Sequence, residues 1–243
     1  MASQMKLGDI AVDVVLKDIK NVHLSVYPPT GRVRISAPKR MRPDTIRVFA
    51  ISKLDWIKQQ QKKLWEQERE TRRDFVERES HYLWGKRYLL VVSKVDEPPS
   101  IEVKHSRILL RVRPESDVAK RKTVVEEWYR ELLKKAVPPL LARWQPLLKV
   151  RVERFFLQRM KTRWGSCNHQ ARTIRLNTEL AKKPAECLEY ILVHEMIHLL
   201  EPTHNARFVA LMNQFMPKWE VLRQNLNRLP VGHADWTQGI SIY

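Results

Sequence analysis

Hydrophobic and polar residues alternate near the start of the chain, in segments rich in valine and isoleucine. Apolar side chains at every second position are typical of strands buried on one face, and they predict strands over 10–16, 23–27 and 32–36. The pattern then changes to helical spacing, with apolar residues at Ile46, Ala50, Leu54 and Ile57. We expect one helix here, capped at its start by Asp44.

The rest of the chain continues to mix strand and helix patterns. Strands are predicted over 82–92, 100–103, 107–112, 150–156 and 172–177. A long helix is predicted over 117–144, and Pro138 and Pro139 are expected to kink or interrupt it. A further helix follows Pro184. Its residues are apolar almost all round, as in a helix buried within a core.

Composition narrows the class of protein. Hydrophobic residues make up 43% of the 243 residues, which is enough to bury a core and excludes disorder throughout. The longest stretch without a charged residue, 21–31, is too short to span a membrane, and residues 1–10 lack the apolar segment of a signal peptide. We therefore expect a cytoplasmic α+β protein. Its N-terminal β-rich and helical region, 1–145, is followed by a second region, 146–243, as two domains or one continuous domain.

The chain is strongly basic. Lys and Arg total 45 against 27 Asp and Glu, which gives a net charge of +18. Such a charge fits attraction to nucleic acid, to nucleotides or to acidic protein surfaces, and segment 58–73 is the best candidate for association with nucleic acid. A protein with solvated basic faces also fits this charge, because the chain contains no known nucleic-acid-binding motif.

The helix after Pro184 carries a His-Glu-x-x-His sequence, at His194, Glu195 and His198. Positions i and i+4 lie on one face of a helix, so both imidazoles can reach one cation. Glu195 projects about 100° round from His194, beside the metal, where it can take a proton from metal-bound water. Zinc suits this pattern because it accepts three protein ligands and keeps a fourth position for water.

A third ligand is required, and His204 is the leading candidate. A continuous helix would carry this residue away from the face of His194, so the helix must stop before it. Pro202 gives a reason for the stop, because proline disfavours helical geometry at the residue before it. The rival candidate is the carboxylate of Glu220, on a later segment.

Four blocks of sequence stand in order along the chain. They are Arg163-Trp164-Gly165-Ser166-Cys167, Ile174-Arg175-Leu176-Asn177, residues 190–198 and His204-Asn205-Ala206-Arg207-Phe208. Together they resemble the YgjP-like metal-dependent hydrolase family, which is related to the SprT-like and WLM zinc metallopeptidases of the zincin class. The resemblance implies one Zn²⁺ per chain, held by His194, His198 and His204, with Glu195 as general base.

The resemblance also implies a fold. A zincin-like catalytic region would pack a small sheet on the motif helix, and the strand near 172–177 would be the edge that pairs with an extended peptide. Three residues of the blocks keep alternative roles. Arg163 either binds substrate or forms an ion pair, and Asn177 either orients substrate or caps the following turn. Cys167 is either an inhibitory zinc ligand or a structural thiol.

The leading interpretation is a zinc-dependent metallopeptidase, in which zinc-bound water, activated by Glu195, attacks a peptide carbonyl. An alternative implied by the resemblance is a nucleotide pyrophosphatase, acting on substrates such as UTP, with the same metal site. A third interpretation is a basic module that associates with nucleic acid and uses its metal structurally, although structural sites are commonly rich in cysteine.

Overall fold

The computed structural model describes residues 2–27, 30–66, 73–160, 163–229 and 240–242. It contains both β-sheets and α-helices, and it confirms the predicted α+β class. Contacts divide the chain into two compact units, which we call the first unit, Met1–Glu70 with His233–Tyr243, and the second unit, Thr71–Gly232. The boundary expected at 145/146 falls within a helix of the second unit and stays a prediction.

The first unit is a sheet with two helices. Its main elements are β1 (Ala2–Leu7), β2 (Ile10–Lys17), β3 (His23–Tyr27), β4 (Arg32–Pro38), α1 (Pro43–Ser52) and α2 (Leu54–Glu66). The strand order is β1-β2-β4-β3, and a short strand, Ile240–Ile242, pairs with β3 at the outer edge. The three strands predicted here are confirmed as β2, β3 and β4. Their alternating apolar side chains, such as Val12 and Ile35, are fully buried in one core with Ile57.

The helical part of the first unit differs from the prediction. It forms two helices separated at Lys53, and Asp44 is not the cap of the first. Helix α1 begins at Pro43, and its N-cap residue, Arg42, makes no capping bond through its side chain. Proline suits the first helical position because its fixed φ is already helical. Asp44 therefore lies within the first turn, where its charge still favours the helix dipole.

The second unit contains two sheets and several helices. The first sheet consists of β5 (Ser80–Leu83), β6 (Lys86–Lys94), β7 (Ser100–Lys104) and β8 (Arg107–Val112), in the order β5-β6-β8-β7. A long helix, α3 (Val118–Leu148), leads to the second sheet, which consists of β9 (Arg154–Gln158), β10 (Gly165–Asn168) and β11 (Thr173–Asn177), in the order β10-β11-β9. The chain ends this unit with a 3-10 turn (Thr178–Lys182), α4 (Ala185–Ile197), α5 (Ala206–Phe215) and α6 (Trp219–Arg228). No helix in the described ranges is both long and apolar enough to cross a membrane.

Helix α3 is longer than predicted, and its prolines do not break it. Asp117 caps the helix by accepting a hydrogen bond from a backbone N–H of the first turn at 2.7 Å. Pro138 and Pro139 lie inside the helix, so of the two expected effects, a kink or an interruption, the interruption was wrong. Val137 and Trp144, on either side of the two prolines, are buried in the same core. That shared burial holds the two halves of α3 together across the missing N–H groups.

The second sheet and α4 position the functional residues. Helix α4 packs against β10 and β11. The strand predicted over 172–177 is confirmed as β11, but it is the central strand, with β10 and β9 on its two sides. The expectation that it forms the peptide-binding edge was therefore wrong, because the periodicity of one strand does not encode its place in a sheet. Among the described strands, β10 is the edge that lies against α4.

Candidate metal centre

Helix α4 carries two of the predicted ligands on a backbone that is fixed by burial. Its residues from Cys187 to Ile197 are buried on nearly every side, and it packs against β10, β11, α5 and α6. His194 lies in the last turn of this helix, and His198 is its C-cap residue. The two imidazoles therefore stand at the end of a rigid element.

The chain turns back after α4 and so returns His204 to the same place. The helix stops before Pro202, as predicted. In the turn, the Thr203 hydroxyl donates a hydrogen bond to the Glu201 carboxylate at 3.0 Å. Asn205 then caps α5 by accepting a hydrogen bond from a backbone N–H at 3.1 Å. His204 is held between these two local networks.

His194, His198 and His204 form what we call the histidine cluster. One nitrogen from each lies within 4.8 Å of the others, and the Nε2 atoms of His194 and His204 are 3.0 Å apart. His198 Nδ1 lies 3.1 Å from the carbonyl oxygen of Glu201, which can only accept, so this nitrogen carries the proton and leaves the lone pair on Nε2. The rival ligand, Glu220, is exposed in the first turn of α6 and is not part of the cluster.

The surroundings of all three histidines favour the neutral imidazole. Burial lowers the pKa of His194 to about 3, and the neighbouring His198 and His204 contribute to the same shift. Burial is also the main cause that lowers the pKa of His198 and of His204. Neutral imidazole is the form that binds a metal, so the cluster is ready to accept a cation without losing protons first.

Glu195 follows the first histidine and is buried, with 6% of its surface exposed. Burial raises the pKa of its carboxyl to about 8, and the charge of Arg163 opposes that rise. The space for this carboxyl comes from Gly165 in β10. A Cβ atom on Gly165 would lie 2.7 Å from Glu195 Oε1 and 2.8 Å from its Cγ. Gly165 belongs to one of the motif blocks, but nothing in its local sequence signals this contact with Glu195.

A phenyl ring contacts the whole histidine cluster. The centroid of the Phe208 ring lies 4.9, 4.8 and 4.7 Å from the ring centroids of His194, His198 and His204. The Phe208 ring is stacked on His198 and meets the other two imidazoles edge-on. The sequence held one signal for this contact, the position of Phe208 four residues after His204 at the start of the next helix.

Asn177, at the end of β11, uses its side-chain amide within the protein. Nδ2 donates to the carbonyl oxygens of Met160 and Arg163, both at 2.8 Å. Oδ1 accepts from the backbone N–H groups of Met160 at 3.3 Å and Glu179 at 3.1 Å. The capping alternative is therefore the one that the structure displays, and the same amide ties β11 to the chain that leads into β10.

Cys167 lies in β10 close enough to Glu195 for their charges to interact. Burial, and then the charge of Glu195, raise the pKa of the Cys167 thiol to about 12. The thiolate is the form that binds metals, and Cys167 is a neutral thiol near pH 7. Its half-buried side chain packs against the core of the second unit, which fits a structural thiol.

A comparison with known protein families agrees with the metal site described above. A model of the YgjP-like family, described as a metallopeptidase domain, matches residues 20–229. The chain belongs to the YgjP-like family. The predicted resemblance is confirmed, and the matched segment of this YgjP-like chain contains the entire histidine cluster and Glu195. Family and geometry together indicate a metal-dependent hydrolase of the metallopeptidase class.

The YgjP-like chain was also compared with curated proteins and with solved structures. No curated protein matches it. Among solved structures, the crystal structure of the metallopeptidase zymogen abylysin from Pyrococcus abyssi is similar to 39% of this chain and 99% of its own, at 22% identity and a TM-score of 0.35. Residues 67–72 of the basic segment 58–73 lie outside the described residues. Neither the family match nor the described residues support the nucleotide or nucleic-acid alternatives.

Proposed function

We propose that this protein is a zinc-dependent peptidase in which His194, His198 and His204 hold the zinc and Glu195 is the general base. The observation that carries the proposal is the histidine cluster, in which three imidazoles converge near the end of a buried helix that also carries a buried carboxyl. Three protein ligands leave a position for water or substrate, as in catalytic sites. A structural site would not need a buried carboxyl next to its ligands.

The donor set supports zinc in particular. Imidazole nitrogens bind Zn²⁺ at about 2.0–2.1 Å in tetrahedral geometry, which places two of them about 3.3 Å apart. The 3.0 Å between the Nε2 atoms of His194 and His204 is close to this spacing. The cluster contains no carboxylate, whereas Mg²⁺ and Ca²⁺ prefer oxygen ligands. When bound, zinc supplies a Lewis acid that polarises a carbonyl and lowers the pKa of a coordinated water toward about 7.

Glu195 moves the proton in this proposal. Burial raises its pKa to about 8 in the protein without metal, and the positive charge of a bound zinc would lower that pKa into the range in which a carboxylate accepts a proton and gives it back near neutral pH. Glu195 takes the proton of the attacking water and returns it to the amine nitrogen that leaves as the peptide C–N bond breaks. Arg163, whose charge acts on the same carboxyl, helps to keep Glu195 ionisable and is our candidate for a substrate contact. We assign Asn177 to holding the backbone rather than to binding substrate.

The edge position of β10 supports a peptide as the substrate. This strand pairs with β11 on one side, and its first residue, Gly165, lies directly against Glu195. An extended peptide that added to the other side of β10 would form main-chain hydrogen bonds and bring its carbonyl groups past the general base. A nucleotide would gain nothing from a strand edge.

The mechanism is tested with a Glu195→Gln variant. We expect the purified protein to hold one zinc per chain and to cleave casein or a peptide library. The Glu195→Gln protein should keep its zinc but lose turnover by at least about 10²-fold, because removal of a general base costs about that much. Full activity in this variant would contradict the proposed role of Glu195.

The ligand set is tested with a matched pair of variants. His204→Ala should lose zinc, and Glu220→Ala should retain it, as measured by elemental analysis after gel filtration. The pair separates the two third ligands that the sequence left open. Zinc retained in His204→Ala and lost in Glu220→Ala would reverse the assignment.

A further inference from the structure

We propose that Phe208 is a positioning residue for the metal, and that its ring is the common support that holds the three imidazoles in place before the metal binds. The inference rests on the proposed function only in taking the histidine cluster as the metal site. It goes beyond that proposal because Phe208 supplies no donor atom and acts entirely through the ligands.

The ring of Phe208 meets the three imidazoles in favourable aromatic geometries. The plane of Phe208 is inclined by 30° to that of His198, and by 68° and 67° to those of His194 and His204. One flat face therefore lies along one ligand, while ring edges meet the other two. Edge-to-face and offset stacked contacts are the favourable geometries for aromatic pairs. Tyr190, the other non-histidine ring in contact with the cluster among the described residues, contacts His194 alone.

Phe208 is itself held firmly in place by burial and by a backbone hydrogen bond. Its ring is 2% exposed and is part of the main core of the second unit. Its backbone N–H donates to the side chain of Asn205, the N-cap residue of α5, at 3.1 Å. Asn205 directly follows His204, so one capped turn sets both the third ligand and the ring on which it rests. A movement of Phe208 would therefore disturb His204 as well as the two ligands on α4.

Hydrogen bonds orient only part of the histidine cluster. His198 Nδ1 is tied to the Glu201 carbonyl at 3.1 Å, but His194 Nδ1 is buried and has no hydrogen-bond partner among the described residues. Among the described aromatic rings outside the cluster, Phe208 is the one that contacts all three imidazoles. Its apolar ring is almost fully buried, so it also shields from water the side of each imidazole that it contacts.

The test is zinc affinity in Phe208→Leu, measured by competition with a chromophoric chelator. Leucine remains apolar and close in volume but has no flat ring. We expect zinc to bind about 10–100-fold more weakly, the range typical of residues that orient metal ligands. The matched control is Phe215→Leu, on the same helix and partly buried against the same core, since Phe215 has no ring contact with the histidine cluster among the described residues. The control should bind zinc within about threefold of the parent.

A second readout separates positioning from general loss of stability. The Co²⁺-substituted proteins report ligand geometry through their visible absorption, and we expect the band of Phe208→Leu to shift while that of Phe215→Leu does not. If Phe208→Leu fails to fold, Phe208→Met takes its place, because the flexible thioether fills irregular space. Parent-like zinc affinity and an unchanged Co²⁺ spectrum in the folded variant would overturn the proposal. Failure of the parent itself to bind zinc would instead contradict the proposed function.

Discussion

The carboxyl of Glu195 has room in the core because residue 165 is a glycine. We expect Gly165→Ala to force the carboxyl away, since the added methyl carbon would lie 2.7 Å from Oε1 and 2.8 Å from Cγ. Peptidase activity should fall by about 10-fold to 100-fold, because a misplaced general base loses most of its effect. Zinc content should stay at one per chain, because the histidine cluster is not touched.

The neighbouring substitution Ser166→Ala is the control for this prediction. It changes the same strand without adding an atom toward Glu195, so activity should stay within about threefold of the parent. Normal turnover in Gly165→Ala, with zinc bound, would mean that Glu195 does not need its present position.

Residues of the candidate site were predictable where the signal for them lies within one short segment of the sequence. His194, Glu195 and His198 follow from helical spacing alone, and His204 needed only the additional stop at Pro202. Gly165 could not be found in this way, because the side chain that it makes room for lies in another element. Phe208 has no donor atom and so gives no signal to a search for ligands.

The prolines of α3 give a prediction at the scale of an element. Pro138 and Pro139 are exposed and lie inside a continuous helix, where each removes a hydrogen bond to the preceding turn. We expect Pro138→Ala and Pro139→Ala each to raise the free energy of unfolding by about 1 kcal/mol, after allowance for the greater freedom of the unfolded chain. Chemical denaturation followed by circular dichroism measures the change.

The control is Pro43→Ala at the first position of α1. Proline is already favourable there, so this substitution should give no gain in stability. A loss of stability in both α3 variants would instead indicate that the two prolines shape the helix for packing.

Asn177 gives a second prediction at this scale, because its amide joins three segments of chain. Asn177→Ala would leave two backbone N–H groups and two carbonyl oxygens without their partner. We expect a loss of about 2–3 kcal/mol in the free energy of unfolding, measured by urea denaturation. Asn168→Ala, which removes one exposed hydrogen bond that Asn168 accepts from the backbone N–H of Ala171 at 3.0 Å, should cost less than about 1 kcal/mol. Equal losses in the two variants would contradict the role given to Asn177.

The type of an element, helix or strand, was predictable from the sequence more often than its bounds or its position within a sheet. The strands β2, β3 and β4 follow from alternation, since each buries one face. The prolines of α3 misled because tertiary burial outweighs their local cost. The edge strand was misassigned because β11 and β10 differ in their neighbours, and neighbours come from the packing of the sheet against α4 rather than from either strand.

At the scale of the molecule, the described residues form two hydrophobic cores, one in each unit, and only one of them supports the candidate site. The core of the first unit lies between one sheet and two helices, and the core of the second unit surrounds α4 and supports the histidine cluster. The sequence indicated the α+β class, but the division at residue 70 lies within the charged segment 58–73, which was interpreted as a basic surface and not as a boundary. The C-terminal strand Ile240–Ile242 returns to the first unit, a long-range contact that no local pattern encodes.

The pH dependence of stability in the metal-free protein depends on the groups buried in the second unit. Glu195 has a pKa of about 8 when folded, against 4.5 for an ordinary glutamate, so the folded state binds the proton more tightly and stability falls as pH rises toward 8. His194 has a pKa of about 3, against 6.5 for an ordinary histidine, and burial also lowers the pKa of His198 and of His204, so stability falls as pH drops below 6.5. We therefore expect maximal stability near pH 6.5.

Glu195→Gln separates the two arms of this profile. The parent should lose about 1 kcal/mol of unfolding free energy between about pH 6.5 and pH 8, as measured by denaturant titrations in the presence of a chelator. The variant should lose none over this range, because its side chain does not ionise, while its decline below about pH 6.5 should remain, since the histidine cluster is unchanged. An alkaline decline of equal size in the two proteins would assign that arm to another group and would mean that Glu195 already ionises in the folded, metal-free state.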